Sequence, residues 1–347
     1  MTKKKIQQLT RILLLVGTAI SLYFVPWPIV KAWIKPLPDS VQEQVNAAVD
    51  MGFDGIIVYI DEDGEEPATF VAGYKNTENK IPADPQALFK IASVDKLYLA
   101  LAITKLVRRG ELSLEKSLAD YLPELKGRIE YADQITLRML IQHRSGIPNF
   151  TDTFNYWAAP KETAEEKLAL ILDLPADFEP GETYAYCNTN YLLLNSIAYK
   201  QLGYEPFEFI REEILTPLNL THTYGSIKEV DIEEVMSGYY VGYEPDLKTV
   251  DNGSMLATAE DLGKFIRALN MGTVFKDQKE QEIYASLYKY EHTGLIPGYQ
   301  TIAKYHKDID AVVIQFTNTV DFEGYNWNLS EIEYNRIVKI LKKKRNQ

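Results

Sequence analysis

Cysteine is almost absent: Cys187 is the only one in 347 residues. No intrachain disulfide can form, and cysteine-built zinc sites are excluded. Histidine is scarce as well. His143, His222, His292 and His306 make up the set, and none stands in His-x-x-x-His spacing. A zinc site of neighbouring ligands is therefore disfavoured, and neither a metal nor another cofactor is expected. Positive charge is short. Residues 1–35 carry six Lys/Arg and no acid, which leaves 31 basic against 49 acidic residues in the remainder, a net −18. Such a body repels phosphate backbones, so no nucleic-acid partner is expected. Repeats and low-complexity tracts are missing too.

Long uncharged apolar runs are limited to one. Ile12 to Val30 is 19 residues without a charge. At about 1.5 Å per residue, a helix of that length nearly spans a hydrocarbon core of about 30 Å. Lys3, Lys4, Lys5 and Arg11 precede it, which keeps the N-terminus cytoplasmic and the body outside. No small-x-small cleavage site closes the run; Pro26-Trp27-Pro28 stands there instead. An uncleaved signal-anchor is the expectation, with a cleaved and secreted form as the alternative. No cysteine closes the run either, so a lipoprotein is excluded.

Among what is present, Ser93-Val94-Asp95-Lys96 carries the most chemistry. Serine and lysine three apart lie on one helix face about a turn apart. A serine at a helix start sits near unpaired N–H groups and the positive dipole end. A lysine beside it accepts the hydroxyl proton if burial or a cationic neighbour lowers its pKa. The spacing alone is weak, because Ser113-Lys116 and Ser286-Lys289 repeat it. Ser113 reads as a cap for a following short helix. Ser286 has no apolar helix behind it. Only Ser93 heads a segment, Leu97 to Val107, that is apolar on nearly every face and reads as a buried central helix.

The organisation follows from periodicity. Asp39 or Ser40 caps a helix from Val41 to about Met51. Gly55 to Ile60 and Ala68 to Tyr74 form a hairpin. Helical patterns cut by Pro and Gly fill about 110–288, as in Glu162 to Leu172, Tyr191 to Leu202 and Ala259 to Leu269. Strand character returns near Gly298 to Tyr305 and Asp310 to Thr317. Ser330 and Glu333 suggest a capping box ahead of a last helix with Tyr334, Ile337, Val338 and Leu341 on one stripe. The expected fold class is α/β of the α+β type: one antiparallel sheet flanked by N- and C-terminal helices, with a mostly helical insertion.

Two further clusters accompany Ser93. Tyr186-Cys187-Asn188 precedes a helix, after the Pro180-Gly181 turn. A tyrosine near a lysine can serve as general base, and asparagine offers a donor and an acceptor to a substrate amide. Tyr74-Lys75-Asn76 repeats the spacing at a strand end, where packing explains it. His292-Thr293-Gly294 places a glycine after a polar pair on a strand, where a substrate backbone can approach closely. The Leu295 N–H can join that of Ser93 as an oxyanion hole.

Ser-x-x-Lys, Tyr-x-Asn and His-Thr-Gly in that order resemble the serine β-lactamase and penicillin-binding family, in its class C-like and DD-peptidase/esterase branch. Phe89-Lys90-Ile91-Ala92, Ile135 to Pro148 and Asn252 to Leu262 also resemble that family, from about Val41 to the C-terminus. The resemblance implies a β-lactamase/transpeptidase-like fold and an acyl-enzyme mechanism. Ser93 would be the nucleophile, with Lys96 and Tyr186 sharing its proton. Asn188, His292, Thr293 and Gly294 would bind substrate, and the Ser93 and Leu295 N–H groups would hold the oxyanion. Glu291 departs from the family pattern; a carboxylate there would hold His292 charged or crowd the site. Leu295 is larger than usual and narrows the pocket. Cys187 is expected to pack. Ser145 beside His143 also suggests a Ser/His pair, but no aspartate partner is evident, and the resemblance makes that loop structural.

The expected organisation is a cytoplasmic segment 1–11, a signal-anchor 12–33, a linker 34–40 and a hydrolase domain 41–347. The expected function is a membrane-anchored extracytoplasmic serine hydrolase acting on D-alanyl peptide or β-lactam-type substrates. Its partners are a small-molecule or peptide substrate, cell-wall-derived material among the candidates, and the membrane. An esterase on D-alanyl or small acyl esters is the alternative, and a non-catalytic binding or sensor domain is the alternative of another class.

Overall fold

The computed structural model describes residues 3–345. The outermost positions of the expected cytoplasmic segment and hydrolase domain, residues 1, 2, 346 and 347, lie outside the described residues. Its helices of eight residues or more are α1 (Lys3–Tyr23), α2 (Trp27–Ile34), α3 (Val41–Val49), α4 (Asp95–Arg108), α5 (Asn188–Leu202), α6 (Ala259–Met271), α7 (Gln278–Leu287) and α8 (Asn326–Arg345). The main sheet has six strands: β1 (Gly55–Glu62), β2 (Ala68–Asn76), β3 (Ile81–Pro82), β4 (His292–Ile296), β5 (Tyr299–His306) and β6 (Ala311–Thr317). Their order is β3-β2-β1-β6-β5-β4, and every neighbouring pair is antiparallel. Tyr59 of β1 faces Ile314 of β6, so the chain's early and late strands meet at the sheet centre.

β1 is covered on both faces, which is why it reads as a continuous apolar run. Ile56, Val58 and Ile60 pack with Val45 of α3 and with Ile337 and Leu341 of α8. Ile57 and Tyr59 point the other way, to Leu97 of α4 and Phe265 of α6. The α4 segment is the buried central helix that its sequence suggested. Even Lys105 is buried there, paired with Glu280 at 2.8 Å.

On the outer face a polar network fastens the N-terminal approach to α8. Gln44 Nε2 donates to Glu333 at 2.6 Å, and Arg336 Nε donates to Gln44 Oε1 at 2.8 Å. The Arg336 guanidinium also donates to the carbonyls of Lys35 and Pro36, at 2.7 and 2.6 Å. Burial pushes the Glu333 carboxyl up to about 7, against the Gln44 hydrogen bond and the Arg336 charge.

Several local expectations are corrected. The last helix begins at Asn326, so Ser330 and Glu333 lie inside it. Ser330 accepts from Gln315 Nε2 instead of capping, and Glu333 meets Gln44. Ser117, with Asp120, caps Leu118–Tyr121; Ser113 instead donates its N–H to Tyr121 Oη and accepts from that hydroxyl at its carbonyl. The N-cap before α3 is Ser40, in a capping box with Glu43. Helix α5 begins at Asn188, one turn before the expected Tyr191. A three-stranded sheet also joins Phe89–Lys90, ahead of the inserted region, to Leu256–Ala257 and Thr223–Tyr224 within it. Two-residue strands carry no readable period. The uncharged N-terminal run is divided, because Pro26 and Pro28 end one helix and start another. Among the described residues α1 alone is long and apolar enough to cross a membrane, and none of its residues is buried.

Candidate active site

Ser93 lies in a single 3-10 turn, Ala92–Val94, that feeds α4. Ala92 has φ +50°, in the left-handed region that costs a non-glycine residue about 1–2 kcal/mol. Its N–H donates to Ser254 Oγ at 2.8 Å, and Ser254 Oγ donates to the Met255 carbonyl at 2.8 Å. The turn is thus held from the neighbouring segment.

Two groups converge on the Ser93 hydroxyl. Lys96 Nζ, one turn on, donates to it at 3.3 Å. Tyr186 Oη lies at 2.7 Å. Tyr186 is positioned by His143, whose ring centre lies 4.5 Å from its own. The next residue, Cys187, donates its N–H to His143 Nδ1 at 3.1 Å. Cys187 packs, with its thiol donating to the Ile147 carbonyl at 3.2 Å.

Lys96 is buried, and its ammonium lies 5.6 and 5.5 Å from the Tyr186 and Tyr191 ring centres. Burial pulls its pKa down, but Tyr186, Asp95 and Cys187 together outweigh that pull, so the net direction is up. The cationic form is favoured, contrary to a lysine made basic by a lowered pKa. Asp95, 3.9 Å from the ammonium, is raised by burial against the Lys96 charge.

Asn188, in the first turn of α5, donates to Thr151 Oγ1 at 3.0 Å and lines the same cleft. On the opposite wall, β4 forms the sheet edge. A Cβ on Gly294 would lie 2.4 Å from the Ile91 carbonyl oxygen and 3.2 Å from the Ser93 nitrogen. The glycine serves the approach of the Ser93 turn to β4. Leu295 follows it along the cleft wall. The β4–β5 hairpin closes through Pro297-Gly298, with Gly298 at φ +82°, as a turn with proline first and glycine second requires.

His292 is 4 % exposed. Its Nδ1 contacts the Thr293 carbonyl, which only accepts, so Nδ1 carries the hydrogen. Burial pulls its pKa down to about 3, the Lys289 charge helps, and the Thr293 contact opposes. In the neutral ring Nε2 accepts, and Tyr288 Oη donates to it at 2.9 Å. The expected Glu291 pair is absent: Glu291 meets Lys304 at 3.7 Å, and His292 is not held charged.

The competing motifs have structural duties. Ser145 Oγ donates to Asn190 Oδ1 at 2.7 Å, and His143 Nδ1 is taken by Cys187, so the two form no dyad. Asn76 donates to Ser237 Oγ at 2.9 Å and is not among the residues that line the cleft. Ser286 is exposed near the end of α7 and donates to the Ile283 carbonyl. Sequence reasoning missed Tyr191, which lines the cleft, Tyr288, which bonds His292, and Ala92; tyrosines are too common here to signal such a place. Among the described residues no cluster of three His, Cys, Asp or Glu side chains suits a metal ion.

Ser93, Lys96, Tyr186, Asn188, Thr293 and Leu295 all line one cleft of about 740 Å³. A sheet with an inserted helical region, and Ser93, Lys96 and Tyr186 at their junction, define a serine hydrolase fold. The beta-lactamase family profile matches residues 31–289, and the chain belongs to that family. The match stops just short of His292. Protein flp of Staphylococcus aureus (strain COL) is 27% identical over 223 residues, covering 60% of this chain and 44% of that one. A penicillin-binding protein of Bacillus subtilis (strain 168) is 25% identical over 271 residues, 77% of this chain and 58% of that one. The chain thus spans about half the length of these curated relatives. D-amino acid amidase from Ochrobactrum anthropi SV3 shares the fold at TM-score 0.77 and 24% identity, covering 88% of this chain and 98% of that one.

Proposed function

We propose that the protein is a membrane-anchored, extracytoplasmic serine hydrolase that works through an acyl-enzyme on D-alanyl peptide or β-lactam-type substrates. The observation that carries this is the Ser93 hydroxyl with Lys96 at 3.3 Å and Tyr186 at 2.7 Å, open to one cleft. Ser93 Oγ attacks the acyl carbon, and Tyr186, reacting as a phenolate paired with the Lys96 ammonium, takes its proton and returns it to the leaving group. The Lys96 ammonium lies beside both oxygens and stabilises negative charge as it develops on either. The N–H groups of Ser93 and Leu295 receive the oxyanion, and the Asn188 amide and Thr293 hydroxyl align the substrate. Gly294 lets β4 close on the nucleophile. His292, being neutral and internally bonded, supports Thr293 and Tyr288. The apolar α1, with its basic flank, anchors the domain that begins near residue 41.

The neutral His292 favours a second reading, an esterase on D-alanyl or small acyl esters, whose substrates need no fixed cation at that box. Nitrocefin, a D-alanyl-D-alanine peptide and a p-nitrophenyl ester, each offered to the full chain and to Ser93→Ala, test the proposal. Turnover of at least one by the full chain and none by Ser93→Ala is expected. Equal turnover by the variant refutes it.

A further inference from the structure

The cleft wall that begins at His292 carries no charge where a substrate anion would be met. The ring is buried, its Nδ1–H goes to the Thr293 carbonyl, and its Nε2 is taken by Tyr288. Neither nitrogen is left for a ligand. Glu291, the next residue back, turns to Lys304 on β5. Thr293 lines the cleft but brings only a hydroxyl.

A cation does stand there, two residues further back. Lys289 lines the cleft together with Ser93, Thr293 and Leu295. Its backbone is fixed, because Tyr284 Oη donates to its carbonyl at 2.8 Å. Among the described residues its ammonium forms no ion pair within 4.0 Å, while neighbouring Lys304 does pair. Its charge reaches His292 and His143 strongly enough to help hold both rings neutral. Lysine ammoniums elsewhere in the chain are held by carboxylates, as at Lys105, Lys228 and Lys264. One left unpaired at the mouth of a cleft is free to take a ligand.

We propose that Lys289 is the anion-recognition residue of this cleft, binding a free carboxylate of the substrate beside the Thr293 hydroxyl. The assignment rests on the Ser93 reading above and narrows it to acyl substrates that carry a carboxylate. A lone ammonium recognises that group as a point charge, without the planar match an arginine would give. Lys289 belongs to the Ser286-Lys289 spacing that has no nucleophilic role, and its position in space, not its motif, gives it this one.

The test is equilibrium binding to the full chain in detergent, in a Ser93→Ala background that prevents turnover. The probes are N-acetyl-D-alanyl-D-alanine and its C-terminal amide, equal in shape and different in charge. With Lys289 intact, the acid binds about tenfold more tightly than the amide, as one charge-assisted hydrogen bond provides. Lys289→Gln abolishes the preference, Lys289→Glu inverts it and Lys289→Arg keeps it. Lys289 is exposed, so unchanged thermal unfolding verifies that each variant folds. Equal binding of acid and amide, or a preference that survives Lys289→Gln, overturns the assignment. Hydrolysis of a neutral p-nitrophenyl ester by the chain with Ser93 intact is read separately. If it proceeds while the preference is missing, only Lys289 is wrong; if it is absent along with every other turnover, the hydrolase reading fails.

Discussion

Gly294→Ala isolates the contact on which the site's geometry depends. The residue has no left-handed φ, so alanine meets no backbone strain of its own. Its methyl would lie 2.4 Å from the Ile91 carbonyl oxygen and 3.0 Å from Ala92 Cβ, where ordinary contact begins at 3.4 Å. The shortfall against the oxygen is about 1 Å, and it falls on backbone, which cannot swing aside as a side chain does. Either β4 retreats or the Ala92–Val94 turn does. A retreat of about 1 Å separates the Leu295 N–H from the Ser93 N–H and misplaces Oγ, which costs about 100-fold in acylation. The strain itself costs about 1–3 kcal/mol of stability, so the fold survives with a lower melting temperature. The assay is kcat/KM on a neutral p-nitrophenyl ester, beside thermal unfolding. Activity within threefold of the parent, with unfolding unchanged, would refute the claim that this approach sets the oxyanion pocket.

Two other outcomes follow from the same geometry. Tyr186→Phe keeps the ring beside His143 and Lys96 but removes the oxygen 2.7 Å from Ser93. A loss of about 100- to 10,000-fold in kcat/KM without loss of folding is expected, and near-parental kinetics would rule out Tyr186 as the base. Glu333→Gln tests the buried network on α8 by its pH dependence. The folded carboxyl titrates near 7, above its ordinary 4.5, so the native state holds its proton longer than the unfolded chain. Its contribution is therefore fully present below about pH 4.5 and is lost as pH rises through 7. The neutral glutamine escapes that loss, so its advantage grows from none near pH 4.5 to at most about 3 kcal/mol at pH 8. Melting curves at the two pH values measure it, and a difference independent of pH contradicts the burial argument.

The sheet and the helix behind Ser93 were legible in the sequence because both are buried elements with simple periods. Gly55 to Ile60 was readable as a strand for want of any charge, and Leu97 to Val107 as a helix apolar on nearly all sides. The meeting of Ser93 with Tyr186, 93 positions away, was reached only through the order of three short motifs. What stayed hidden was set by three-dimensional neighbours. Ser330 and Glu333 spell a cap yet serve Gln315 and Gln44 from the helix interior. The protonation of His292 depends on its burial and on Lys289, while Glu291 beside it in sequence points to another partner. Lysine next to serine suggested an amine made basic by a lowered pKa, but Tyr186 and Asp95, contributed by folding and by the turn geometry, reverse the direction.

Peptide mapping by mass spectrometry after a fluorophosphonate probe is applied to the full chain bears on all of this at once. The account predicts one adduct, on the Ser93 hydroxyl, suppressed in Tyr186→Phe. An adduct on Ser145 or another serine, with hydrolysis continuing while Ser93 stays unmodified, contradicts it.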